Sequence, residues 1–140
     1  MTTPEIDVVL RYFARCAEGN PAIVDMYTPD AEFFDCAGPT TFTGQNAIRH
    51  NVFEPIFAAF PDFRCHDQVR HIMSNDGVVM AELVISGTHR GEFLGCPPTQ
   101  RPVSWNTTGV WEITTDGLIR REAYYWDIDT VRGQLLTAGS

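Results

Sequence analysis

The chain has 140 residues, 44% of them hydrophobic, and a formal net charge of −8 from 18 acidic against ten basic residues. That length suits a single domain over residues 1–140 with enough apolar material for a core, and the negative charge, with no Lys/Arg cluster to offset it locally, argues against nucleic acid as a partner. No apolar run approaches the ~20 residues of a membrane span, and MTTPEIDVVLRYF lacks the basic start and continuous apolar stretch of a signal peptide, so a cytoplasmic protein is expected.

Helical signals come first. Thr3-Pro4-Glu5 supplies an N-cap, a proline at the first helical position and an early acid, and Ile6, Val9, Leu10, Phe13 and Ala17 recur at helical spacing up to a stop near Gly19. Asn20-Pro21 starts a short helix through Met26, and Thr28-Pro29-Asp30 ends it before a strand-like run from Ala31 to Cys36. A third helix follows Gly44, with Ile48, Val52, Ile56 and Ala59 on one stripe. Pro55 lies inside it, where the missing N–H predicts a kink, and Pro61 closes it.

Four strand-like runs follow: Phe63 to Met73, Gly77 to His89, Arg101 to Thr114 and Leu118 to Asp127. The turns Ser74 to Gly77 and Thr115 to Gly117 predict an antiparallel meander. With Gly117 left-handed, Thr114 lies opposite Leu118 and odd residues pair with odd. One sheet face then holds Val79, Ala81, Leu83, Ile85 and His89; Trp105, Thr107, Gly109 and Trp111; and Ile119, Arg121, Ala123, Tyr125 and Asp127. Glu122 points the other way. The odd face is the more apolar, so the helices are expected to cover it.

Three N-terminal helices on one face of a curved antiparallel sheet make an α+β fold with an apolar cavity between the layers. Asp127 would enter that cavity from the end of the last strand. Desolvation there would raise its pKa and make it a proton acceptor and donor near neutrality. Asp127 also reads as the N-cap of a closing helix, with Asp129 an alternative cap.

The segments TFTGQNAI (Thr41 to Ile48), AAFPDF (Ala58 to Phe63), GTHRGEFLGCPPT (Gly87 to Thr99) and YYWDIDTVRGQL (Tyr124 to Leu135) resemble the SnoaL-like polyketide cyclase family of the nuclear transport factor 2-like superfamily. The resemblance implies a cone-shaped fold, with Asp127 at the position of the family's acid/base aspartate and Gln134-Leu135 in the closing helix. It implies an intramolecular aldol ring closure of a polyketide ester with no metal or organic cofactor. Asp127 takes a proton from the carbon between two carbonyls, and the pocket folds the chain for attack. Phe33, Phe57, Trp105, Trp111 and Tyr125 would supply flat walls for a small hydrophobic or aromatic substrate. Thr107 would add a polar group beside them. Asp35 shares its strand parity with Phe33 and reads either as a second polar group or, more in keeping with a strand end, as the cap of the Ala37-Gly38-Pro39 turn. His89 either polarises a carbonyl or hydrogen-bonds Asp127, or else pins the loop that runs to Thr99. Similar folds carry hydroxylases, epoxide hydrolases, isomerases and plain binding modules, and all remain open.

Cys16, Cys36, Cys65 and Cys96 are spread without a C-x-x-C pair and read as free core thiols. His50, His66 and His71 have no metal-ligand spacing and read as solvated surface. On the even faces Val78, Met80, Val84 and Val110 alternate with polar residues, which suggests a partly covered outer sheet and hence a homodimer.

Overall fold

The computed structural model describes residues 2–38, 40–65 and 69–136; His66 lies outside them. Helix α1, Pro4–Cys16, starts as its sequence predicts, with the Thr3 hydroxyl accepting from the Ile6 N–H at 3.2 Å. It buries Ile6, Val9, Tyr12, Phe13 and Cys16, while Leu10 at its edge is 37% exposed. A 3₁₀ turn, Pro21–Met26, leads into β1, Tyr27–Asp35. This strand begins four residues before the expected Ala31. Its pairing shifts register between Tyr27 and Glu32, so Pro29, which has no N–H to give, sits where the ladder is already interrupted.

A short strand not anticipated from the sequence, β2 (Thr40–Thr43), returns beside β1. Helix α2, Gln45–Ile48, then runs through a π-helical turn, Arg49–Phe53, into α3, Glu54–Ala59. The widened turn directly precedes Glu54-Pro55, so the proline is accommodated by local unwinding of the helix. Strands β3 (Val69–Asn75), β4 (Val78–Thr88), β5 (Pro102–Ile113) and β6 (Ile119–Trp126) form the meander, and α4, Ile128–Leu136, closes the described chain. The expected start of β3 at Phe63 is reduced to an isolated pairing of Arg64 with Ser86. The six strands form one curved, unclosed sheet in the order β2-β1-β6-β5-β4-β3, with β1 parallel to β6 and the other neighbours antiparallel.

The inner face follows odd parity along β4 and β5, where Val79, Ala81, Leu83, Ile85, Val103, Trp105, Thr107 and Trp111 are all buried. Along β6 that parity fails. The turn itself is as expected, with the Thr114 N–H on the Leu118 carbonyl at 2.9 Å and Gly117 at φ 85°. Ile113 still pairs with Ile119, but Glu112 pairs with Arg121, so one extra residue enters β6. Such a bulge flips every later side chain. Glu122, Tyr124 and Trp126 therefore face the helices, and Tyr125 stands on the outer face, 46% exposed, with its ring 5.9 Å from that of Phe34. Among the described residues no helix is long and apolar enough to cross a membrane.

Candidate active site

A cavity of about 220 Å³ lies between the inner sheet face and the helices. Tyr12 of α1, Phe33 and Asp35 of β1, Phe53 and Phe57 of the helical segment, Trp105 and Thr107 of β5, and Tyr124 and Trp126 of β6 contribute to its wall. Phe93 and Leu94 close one side from the loop after β4. Phe93 stacks on Trp105 with 6.1 Å between centroids, and Trp105 meets Trp126 at 5.8 Å. Ligand pockets usually exceed about 300 Å³, so this one suits a compact ligand or one that protrudes past the exposed Asn51 and Pro55 at its edge.

Five of the nine residues expected at the site meet on this wall: Phe33, Asp35, Phe57, Trp105 and Thr107. Asp35 ends β1 directly opposite Tyr124 of β6. Its Oδ1 accepts the Trp126 indole N–H at 2.8 Å and the Ala37 backbone N–H at 2.9 Å. The turn-capping role read from the sequence and a place on the cavity wall are thus combined in one carboxylate. Thr107 is buried, and its hydroxyl donates to the Tyr125 carbonyl at 3.2 Å.

The other four stand elsewhere. Asp127 is exposed at the start of α4, where its oxygens accept from the Asp129 N–H at 3.1 Å and the Thr130 hydroxyl at 2.7 Å. The Thr130 hydrogen bond holds its carboxyl below the usual range, opposite to the desolvated, raised acid expected from the sequence. His89 is fully buried but off the cavity wall. Its Nδ1 accepts the Thr99 N–H at 3.2 Å, and the backbone exchanges bonds with Arg101 and Gln100, so the ring pins the loop to its return strand. Trp111 is sealed in the core behind the wall, and Tyr125 was turned outward by the bulge.

Gly87 near the end of β4 and Gly91 in the loop have a steric reason. A Cβ on Gly91 would lie 2.6 Å from the Ala58 carbonyl oxygen and one on Gly87 2.9 Å from Phe60 Cβ. The loop docks on the end of α3 through Arg90 and Gly91 N–H bonds to the Ala59 carbonyl.

Behind Tyr12 and Tyr124 lies a group the alternating pattern had directed outward. Glu122 is fully buried, with Tyr27 donating its hydroxyl to Oε1 and Trp111 its indole N–H to Oε2 at 2.9 Å. Burial raises its pKa, while the hydroxyls of Tyr124, Tyr27 and Tyr12 and the Trp111 N–H favour its charge and offset part of that rise. The only sequence signal for this placement was negative: the unshifted register would have buried Arg121 instead.

The raised pKa fixes a stability trend. Between the ordinary glutamate value of 4.5 and the higher folded value, the unfolded chain has released a proton that the folded protein keeps. The Glu122 contribution is therefore full below 4.5, declines as pH rises toward the folded pKa, and is flat above it. Urea unfolding across pH should show the wild type losing stability relative to Glu122→Gln through that window. A wild-type-to-variant difference independent of pH would contradict the assignment.

Among the described residues no three His, Cys, Asp or Glu side chains are grouped to hold a metal ion. Cys16, Cys65 and Cys96 are buried thiols as expected, whereas Cys36 is exposed and accepts the Trp126 N–H at 3.3 Å. His50 and His71 are exposed beside Glu54 and Glu82.

Comparison with curated proteins finds no similar sequence. Among solved structures, IdmH from Streptomyces antibioticus, assigned as a polyketide cyclase, is 25% identical with a TM-score of 0.76, over 94% of this chain and 97% of that one. AclR from Streptomyces galilaeus, assigned as a hydroxylase, is 21% identical with a TM-score of 0.79, over 97% of this chain and 83% of that one. SalBIII, an epoxide hydrolase/cyclase-like enzyme in pyran ring formation in the polyether salinomycin, is 23% identical with a TM-score of 0.75, over 90% and 92%. The sequence profile of SnoaL-like polyketide cyclases matches residues 7–135, nearly the whole of this α+β chain, which therefore belongs to the SnoaL-like polyketide cyclase family.

Proposed function

We propose that this protein is an acid/base enzyme that closes a ring in a compact polyketide-like β-keto ester, with Asp35 as the base. The observation that carries the reading is the position of Asp35, the one carboxylate among the described residues on an otherwise largely apolar wall. Two N–H groups hold its Oδ1, and Oδ2 is left to meet the substrate. A carbon between two carbonyls is acidic enough for one placed carboxylate to deprotonate, and the enolate carbon then attacks a ketone held against it. Trp105, Phe33 and Phe57 fold the chain and exclude water. Asp127 keeps the helix cap and takes no part in proton transfer. The same reading includes a homodimer through the outer sheet face, where Met80 and Tyr125 remain 47% and 46% exposed.

Epoxide opening is the second reading, since a carboxylate in an apolar cavity also suits it and the SalBIII description joins both activities. The test offers the purified protein a bicyclic β-keto ester and, separately, an epoxide of similar size, with products resolved by mass spectrometry. Ring closure leaves the mass unchanged, whereas hydration adds one water. Turnover of the ester to an isomer supports the proposal; turnover of the epoxide alone replaces it.

A further inference from the structure

We propose that Glu122 and the hydroxyls of Tyr12 and Tyr124 form a proton relay that ends on the cavity wall and serves the oxygen of a bound carbonyl compound. The proposal deepens the acid/base reading above and rests on it for the reaction, though not for binding. The geometry is a pair of linked hydroxyls on the wall with a buried carboxylate behind them, whose charged form is favoured by hydrogen bonding from the Tyr124 and Tyr12 hydroxyls. Tyr12 and Tyr124 both line the cavity, and their hydroxyls are 3.3 Å apart. Glu122 stands behind them, sealed from solvent, with Tyr27 and Trp111 each donating to one of its oxygens.

Counting protons gives the relay its direction. The two wall hydroxyls carry two protons, and one lies in the bond between them. When Glu122 is a carboxylate it draws the second, and the cavity meets only lone pairs. When Glu122 is protonated it donates to the hydroxyl pair, and the second proton turns toward the cavity. The groups facing this site are Tyr12 and Cys16 from α1, Tyr27 from β1, Trp111 from β5, Tyr124 of β6, and Cys65, while the Asp35 carboxylate faces the same cavity from the end of β1, opposite Tyr124. Burial holds Tyr12, Tyr27, Tyr124 and Cys16 in their neutral forms.

In the ring closure the proton balance is complete. Asp35 takes the carbon-bound proton, and the new carbon–carbon bond turns the attacked carbonyl into an alkoxide. That oxygen takes a proton from a wall hydroxyl as the hydroxyl is refilled from Glu122. The product leaves with Asp35 protonated and Glu122 charged, and exchange with water resets both. Tyr124 lies opposite Asp35 on the neighbouring strand, so acceptor and donor stand on adjacent walls of one cavity.

The probe is 2-acetylnaphthalene, which binds without reacting, with its carbonyl stretch followed by difference infrared spectroscopy and 2-ethylnaphthalene as the hydrocarbon control. In the wild type the stretch should shift to lower frequency on binding at mildly acidic pH and lose that shift as Glu122 ionises. Glu122→Gln, whose amide always donates, should keep the shift at every pH. Tyr124→Phe should abolish it and weaken ketone binding up to about tenfold, one neutral hydrogen bond, while leaving the hydrocarbon unaffected. A carbonyl frequency unchanged between wild type and Tyr124→Phe, with the ketone still bound, overturns the relay. The pH series, which should run alike in wild type and in Asp35→Asn, and Tyr124→Phe decide the matter even if Glu122→Gln does not fold; a pH dependence lost in Asp35→Asn overturns the role of Glu122. An intact shift in a protein that fails to cyclise the ester upholds the relay and defeats only the ring-closure reading.

Discussion

Asp35→Asn is expected to lower turnover of the β-keto ester about 10²- to 10⁴-fold, the usual cost of removing a general base. The substitution is nearly isosteric, and its carbonyl oxygen can still accept the Trp126 and Ala37 N–H groups that Oδ1 accepts now. Fold and substrate affinity should therefore be kept while the proton acceptor is lost. The decisive comparison is Asp127→Asn, because Asp35 ends β1, Asp127 directly follows β6, and both lie near Trp126 in the chain or in space. Asparagine caps helices about as well as aspartate, so Asp127→Asn should leave turnover and thermal stability close to wild type. Steady-state rates with circular dichroism on both variants decide between the two positions. Loss of activity in Asp127→Asn with retention in Asp35→Asn would move the base to the cap of α4 and remove the basis for the present reading.

The contrast between those two residues shows how far the sequence could be followed. Along β4 and β5 the period-two pattern alone identified the buried face, because Val79, Ala81, Leu83, Ile85, Trp105 and Trp111 have no register defect between them. Helix α1 was equally legible, since Thr3 and Pro4 mark its start chemically. Asp127 was misplaced because the parity carried across the Thr115 to Gly117 turn was correct for Ile119 and wrong beyond Arg120. A bulge adds one residue without any signature in hydrophobic period, and IRREAYYW offers aromatic residues on both faces. The same slip hid Glu122, Tyr124 and Trp126 and promoted Tyr125. His89 failed for a different reason. Its residue type suits catalysis and loop pinning equally, and only the Thr99 N–H at its Nδ1 separates the two. Asp35 was named from strand parity with Phe33, a local argument that no distant irregularity could disturb.

Gly109→Ala should cost about 3 kcal/mol, the upper part of the range for overpacking a core, and lower the thermal midpoint by roughly 10 °C for a chain of this length. Gly109 lies on the inner face of β5 opposite Tyr124. A Cβ there would come within 2.3 Å of Trp111 Cη2 and 2.9 Å of its Cζ2 and Cζ3. The indole cannot step aside. Phe13 meets it edge-on at 5.4 Å, Tyr124 at 5.7 Å and 90°, and its N–H is committed to Glu122. The missing side chain at Gly109 is therefore the space that the Trp111 ring fills, and that ring in turn supports both the buried carboxylate and the Tyr124 wall. Combining Gly109→Ala with Trp111→Phe, which removes the clashing ring atoms, should cost less than the sum of the two single substitutions in urea unfolding. Strict additivity would mean that the alanine destabilises through the strand backbone and not through the indole. The steric account also links fold to site, because a displaced indole would release Tyr124, and the folded fraction of Gly109→Ala should bind 2-acetylnaphthalene more weakly than wild type.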